Sequence, residues 1–126
     1  MKGIDVNKFE ELLQKKEVSR SENLLGCAYR NCKNFGYDGL VINEGYSIGM
    51  SDCDIVELDR AMTELGVSEF VLADESTALM RMIHAFTKVG YSFTNVTTVS
   101  QEGKPFYNPE YDQPKKGLLF ERGEWL

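Results

Sequence analysis

A chain of 126 residues with 42% apolar and 27% charged residues is long enough to bury a core without disulfide staples, and it reads as one domain over residues 1–126. Its net charge of −6 argues against a phosphate-backbone binder, which needs a basic face, so no nucleic-acid partner is expected. No run approaches the roughly 18 apolar residues of a membrane span, and the start Met-Lys-Gly-Ile-Asp lacks the apolar segment of a signal peptide, so no membrane contact and a cytoplasmic location are expected.

Residues 5–16 are predicted helical, with Phe9, Leu12 and Leu13 on one side and Asp5 or Asn7 as cap. Ser19-Arg-Ser-Glu22 matches the S-x-x-E capping box that opens a helix. That helix carries Leu24, Leu25, Ala28, Cys32 and Phe35 on one face, with Gly36 as its stop. The three cysteines, Cys27, Cys32 and Cys53, form no CxxC and are odd in number. They read as reduced thiols filling small apolar spaces.

Gly39-Leu-Val-Ile-Asn43 is the first predicted strand. The loop 43–51 follows it and contains Gly45 and Gly49, but neither G-x-G-x-x-G nor Gly-Lys-Ser/Thr, and no basic residue. It therefore reads as an ordinary connection rather than a phosphate cradle. Ile55, Leu58, Met62 and Leu65 predict a helix over 52–65, with Gly66 in the left-handed stop position. Glu69-Phe-Val-Leu-Ala73 is the second strand. Asp74-Glu75 follow, then Ser76 or Thr77 caps a helix carrying Leu79, Met82, Ile83 and Phe86, closed by Gly90. The third strand is 92–99, rich in Thr and Val.

The turn 101–104 leads into Pro105-Phe-Tyr-Asn-Pro-Glu-Tyr-Asp-Gln-Pro114. This segment holds all three prolines and so is neither helix nor central strand. Its aromatics, Phe106, Tyr107 and Tyr111, either make contacts to a partner at low entropic cost or cover the sheet edge. The final strand, 117–122, is expected antiparallel to the third. Trp125 belongs to a tail docked on the domain or on a partner.

These elements predict an α/β fold. It is a single three-layer or two-layer domain with a mixed, mostly parallel central sheet of four or five strands, two N-terminal helices and a C-terminal antiparallel strand. The expected core includes Leu24, Phe35, Val41, Ile55, Leu58, Phe70, Leu72, Ile83, Phe86, Val96 and Leu119.

In open α/β sheets ligands sit outside the carboxyl ends of the strands. If the first two strands are neighbours, Asn43, Glu44, Asp74 and Glu75 gather there, either as helix-capping carboxylates or as a contact site. The segment from Asp38 to Glu75 holds ten acidic residues against one basic residue, Arg60, which suits cationic partners or simply solubility. His84, the only histidine, has no ligand partner at metal-site spacing, so no metal is expected. No nucleophile elbow or Cys–His pairing of family type occurs, so no catalytic residue is assigned.

The segment Ala85-Phe-Thr-Lys-Val-Gly-Tyr91 resembles the L-Y-x-K-x-G-F end of the fourth helix in GCN5-related N-acyltransferases. Glu64-Leu-Gly-Val-Ser-Glu-Phe-Val-Leu72 is similar to that family's third-helix-to-fifth-strand passage. The resemblance covers about half of the chain. It implies a GNAT-like mixed sheet splayed around an acyl-CoA groove, and amide formation by direct attack on the thioester. The family's pyrophosphate signature would fall at 44–52, where only Gly45 and Gly49 match it. Its general-acid tyrosine would fall at Phe86.

Two functional expectations result. The first is a small acidic binding or inhibitory module without catalysis or cofactor. It engages a protein partner through its acidic surface and the contact residues Asn43, Glu44, Asp74, Glu75, Phe106, Tyr107 and Tyr111. The alternative is an N-acyltransferase using acyl-CoA, with Glu44 or Asp74 as general base.

Overall fold

A computed structural model describes residues 2–32, 35–43, 52–73 and 79–123. The first two helices start where short polar side chains satisfy their first N–H groups. Helix α1 (Val6–Leu13) is capped by Asp5, whose Oδ1 accepts from the Lys8 N–H at 3.2 Å. Helix α2 (Arg20–Asn31) has a complete capping box. The Ser19 Oγ accepts from the Glu22 N–H at 3.1 Å, and the Glu22 Oε1 accepts from the Ser19 N–H at 3.1 Å. Removing such a cap typically costs about 1 kcal/mol.

The chain continues through β1 (Val41–Asn43), α3 (Asp52–Glu64), β2 (Glu69–Ala73) and α4 (Leu79–Lys88). It ends in β3 (Tyr91–Val99) and β4 (Lys115–Arg122). Helix α3 closes in a Schellman motif. The Val67 N–H donates to the Met62 carbonyl at 2.9 Å and the Gly66 N–H to that of Thr63 at 3.2 Å. Gly66 takes φ +74°, which a residue without Cβ adopts at little cost.

The sheet order is β1-β2-β4-β3. Strands β1 and β2 pair in parallel, with Ile42 beside Leu72 and Asn43 beside Ala73. Strand β4 pairs antiparallel with both β2 and β3. The sheet is therefore mixed. Strands β1, β2 and β3 point one way and β4 points against them, so only one of the three pairings is parallel. The C-terminal strand lies inside the sheet, between the second and third. Composition explains the arrangement. Leu118, Leu119 and Phe120 supply apolar side chains to both faces of β4, whereas β3 is Thr- and Asn-rich and suits an edge.

Alternate strand residues divide into two cores. Leu40, Ile42, Phe70, Leu72, Tyr91 and Phe120 face the helices, and all four described helices contribute to that cluster through residues such as Phe9, Leu25, Leu58 and Phe86. Its centre is aromatic. Phe70 lies 4.8 Å from Phe86, 5.1 Å from Tyr91 and 5.4 Å from Phe120, centroid to centroid. Val41, Val71, Ala73 and Val99 face the other side, where Phe35, Tyr37 and Leu119 pack on them. Residues 35–38 thus form a strap on that face, and the Gly36 N–H donates to the Ser100 carbonyl at 2.8 Å. A Cβ at Gly36 would stand 2.8 Å from the Ser100 Cβ, which gives this glycine a packing role in place of the expected helix stop.

Four of the eleven expected core residues differ from the structure. The α2 helix ends at Asn31, so Phe35 leaves its apolar face and crosses to the far side of the sheet. Val96 is 51% exposed, because β3 is an edge strand. Ile83 and Leu119 are only partly buried against their clusters. Leu24, Val41, Ile55, Leu58, Phe70, Leu72 and Phe86 are buried as expected.

Candidate functional site

The strand order settles a question that the sequence left open. Strands β1, β2 and β3 share one direction, so their carboxyl ends lie along one edge of the sheet. The connection 100–114 leaves β3 and enters β4 at that same edge. Asn43 and Ala73 sit side by side in the β1–β2 register. Gly117, near the start of β4, lies so close to β2 that a Cβ there would collide with Val71 Cγ1 and stand 3.9 Å from Ala73 Cβ. The topology thus brings the ends of β1 and β2 and the base of the aromatic loop to one edge. Of the predicted acidic contacts, Glu44, Asp74 and Glu75 lie outside the described residues, as does the side chain of Asn43.

The loop itself is described throughout, and it is built from hydrogen bonds rather than from apolar packing. Gln101 is buried, and its Nε2 donates to the Gln113 carbonyl at 2.6 Å, which ties the two ends together. The Lys104 N–H donates to the Gln101 carbonyl at 3.0 Å and the Tyr107 N–H to that of Lys104 at 3.2 Å. Asp112 organises the far half. Its Oδ1 accepts from Lys104 Nζ at 2.9 Å and its Oδ2 from the Asn108 N–H at 2.9 Å, while its own N–H donates to the Asn108 carbonyl at 2.7 Å. The Lys104 hydrogen bond, then the Asn108 amide, hold the Asp112 carboxyl below the usual carboxylate range, because both favour the charged form.

On this pinned frame the aromatics divide. Tyr107 is half-buried. Phe106 is 100% exposed and Tyr111 is 81% exposed. Phe106 is also the one non-glycine among the described residues with positive φ, at +58°. For a bulky L-residue that region costs roughly 1–2 kcal/mol. The ring also forgoes the roughly 1.5–3 kcal/mol that burial would contribute. The strain runs against folding, and a ring that is 100% exposed gains no burial to offset it.

Other polar clusters serve the fold. Arg122 Nη1 donates to Asp59 Oδ1 at 3.1 Å, its Nη2 donates to the Tyr91 hydroxyl, and its guanidinium stands 4.6 Å from the Tyr91 ring centroid. This ties α3 to β3 and β4 at the end of the sheet opposite the loop. Burial pushes the Tyr91 hydroxyl well above the ordinary tyrosine range, and Arg122 only partly opposes that. At the start of β2, Glu69 is buried opposite Glu121 in the ladder, with Lys2 Nζ 3.7 Å away. Neither Glu69 Oε1 nor the Tyr37 hydroxyl makes a hydrogen bond to the described residues.

A cavity of about 270 Å³ between the start of α2 and α3 is lined by Ser19, Glu22, Glu57, Arg60 and Glu64. Glu22 there is committed to Lys15, at 2.9 Å, and to the Ser19 cap. His84 is exposed on α4. No group of three or more His, Cys, Asp or Glu among the described residues is placed to hold a metal ion, and no described helix is long and apolar enough to cross a membrane.

The sequence singled out Phe106, Tyr107 and Tyr111 but missed the hydrogen bonds that tie their loop together. The signal for Gln101 and Asp112 exists only in space, since their partners lie 12 and 8 residues away. Residues 25–121 match the model of a family described as a domain of unknown function (DUF7698). No curated protein and no solved structure gives a significant match.

Proposed function

The chain belongs to the DUF7698 family, a domain of unknown function, and we propose that it is a non-catalytic binding module that engages a protein partner through the 101–114 loop. The observation that carries this reading is Phe106, a fully exposed ring in a left-handed backbone conformation on a loop held by its own hydrogen bonds. Backbone strain that packing does not repay is typically kept for function. A rigid aromatic anchor also loses little entropy on binding, and aromatic anchors dominate protein-binding hot spots. The carboxylates Glu44, Asp74 and Glu75 and Asn43 belong to the same proposed contact surface, since their strands end along the edge from which the loop rises. Their acidity favours a partner with a basic face. A cytoplasmic setting is part of this reading and rests on the cysteine pattern.

The alternative is a GNAT-like N-acyltransferase that takes acyl-CoA, with Glu44 or Asp74 as general base. Phe86, at the position of that family's tyrosine, is fully buried among Phe70, Tyr91 and Phe120 and has no proton to give. Calorimetric titration with acetyl-CoA separates the two readings: micromolar affinity supports the acyltransferase and none is expected.

The binding reading is tested by affinity capture from native lysate with two baits, the wild type and the double variant Phe106→Gly, Tyr111→Ser. Anchor residues of this kind contribute about 2 kcal/mol or more each, so capture of a specific partner should fall more than tenfold while the melting temperature holds. Equal capture by both baits would overturn the proposal.

A further inference from the structure

Strand β3 is the long edge of the sheet, and its composition is unlike that of the rest of the surface. Residues 91–99 read Tyr-Ser-Phe-Thr-Asn-Val-Thr-Thr-Val, without charge or proline, in a chain of which 27% is charged. Edge strands are commonly protected by Lys, Pro or shortness. The opposite edge, β1, is three residues long, whereas β3 has nine.

One irregularity interrupts β3, a register shift between Phe93 and Asn95, and it decides which way the apolar side chains face. Phe93 stands opposite Phe120 and Val96 opposite Leu118. Phe120 and Leu118 both belong to the helix-side cluster, and residues directly opposite in a ladder share a face. In a regular strand, positions 93 and 96 would point to opposite faces. The extra residue, Thr94, returns both to the same one. Phe93 is 50% exposed and Val96 is 51% exposed, so the edge carries two half-open apolar side chains side by side, framed on their own strand by Thr, Ser and Asn, with Lys116 Nζ of β4 reaching the Thr98 hydroxyl beyond them at 3.3 Å.

This pair is complementary to itself. In an antiparallel pairing of β3 with a second β3, a register that sets Phe93 against the partner's Val96 also sets Val96 against the partner's Phe93, because a two-fold axis makes every contact reciprocal. The result is two aromatic–β-branched cross-strand pairs on one face, the kind that stabilises antiparallel ladders. The second copy supplies the required Phe–Val spacing by symmetry. A chain of net charge −6 resists self-association through most of its surface, and the uncharged β3 avoids that repulsion at the contact. We propose that β3 pairs antiparallel with β3 of a second copy of this chain, Phe93 against Val96 across a two-fold axis, so that two four-stranded sheets join into one. The pairing is independent of the 101–114 loop.

A single strand pair is a small interface, so the dimer is weak and concentration-dependent. Sedimentation velocity over a range from micromolar to millimolar should carry the wild type from 14.3 kDa toward twice that mass. Val96→Lys sets an ammonium against the partner's Phe93, and Phe93→Glu sets a carboxylate against the partner's Val96. Each variant alone should raise the dissociation constant at least about tenfold. Mixed in equal amounts, the two variants join the new charges as a pair across the axis and leave one Phe93–Val96 contact intact, so a heterodimer should reappear. Phe93→Glu loses a ring contact to Phe120 at 6.2 Å. If that variant fails to fold, the dissociation constant of Val96→Lys decides alone. A wild type that stays monomeric throughout, a dimer indifferent to Val96→Lys, or folded variants that fail to recover on mixing would each overturn the proposal.

Discussion

Replacing Phe106 separates the proposed contact of its ring from its effect on the fold. The ring is fully exposed, so removing it forfeits no burial free energy. The backbone at φ +58° carries a cost of roughly 1–2 kcal/mol for any side chain with a Cβ. Glycine removes that cost and gives back about 0.4–1 kcal/mol through a more flexible unfolded chain. Phe106→Gly is therefore expected to be neutral or stabilising by up to about 1 kcal/mol, or a few degrees in Tm for a domain of this size. Phe106→Ala keeps the strain and loses the ring, so its stability should match that of the wild type. Urea unfolding followed by circular dichroism measures both. Phe106→Gly should be at least as stable as Phe106→Ala, and both should lose partner affinity. A loss of more than about 1 kcal/mol in Phe106→Gly would mean that the ring packs on the domain, and the reasoning from exposure would fail.

Three further predictions follow from the same geometry. Tyr111→Ala should leave Tm unchanged, because the residue is 81% exposed, whereas Tyr107→Ala should lower it, because that ring is half-buried and its removal forfeits part of the roughly 1.5–3 kcal/mol for a full ring; equal shifts in thermal melts would contradict the division of the loop. Burial raises the Tyr91 hydroxyl in the folded state, so its contribution is fully present below the ordinary tyrosine value of about 10 and lost as pH rises above it; stability measured by urea titration should fall across that alkaline range, and less so in Tyr91→Phe. Glu69→Gln removes one of two carboxylates that face each other across β2 and β4, where like charges are unfavourable. Its Tm should hold or rise, and a loss of about 3 kcal/mol or more would mean that the contact with Lys2 at 3.7 Å is an essential buried ion pair.

Local chemistry was legible in the sequence and long-range pairing was not. Asp5, the Ser19–Glu22 box and the left-handed Gly66 and Gly90 act within a few residues of themselves, and each performs its expected task. Strand β2 lies where its five apolar-rich residues put it. The insertion of β4 between β2 and β3 could not be read, because it depends on contacts across more than twenty residues that no local pattern encodes. Val96 is exposed for the same reason: its place at an edge and the Thr94 bulge are properties of the assembled sheet. Phe35 continues the spacing of the α2 apolar face, yet it lies on the opposite side of the sheet, because α2 ends at Asn31. For the candidate site, prolines and aromatics marked the loop. The exposure of Phe106 and the tethers from Gln101 and Asp112 required the fold.

The central claim is that the exposed ring at position 106 touches another protein. A photo-reactive phenylalanine analogue at that position, irradiated in native lysate, tests it directly. The account predicts a discrete heavier adduct that is absent when the analogue replaces Met80, which is 77% exposed and lies on α4, away from the loop in sequence. Adducts of equal yield and pattern from both positions, or none from position 106, would contradict it.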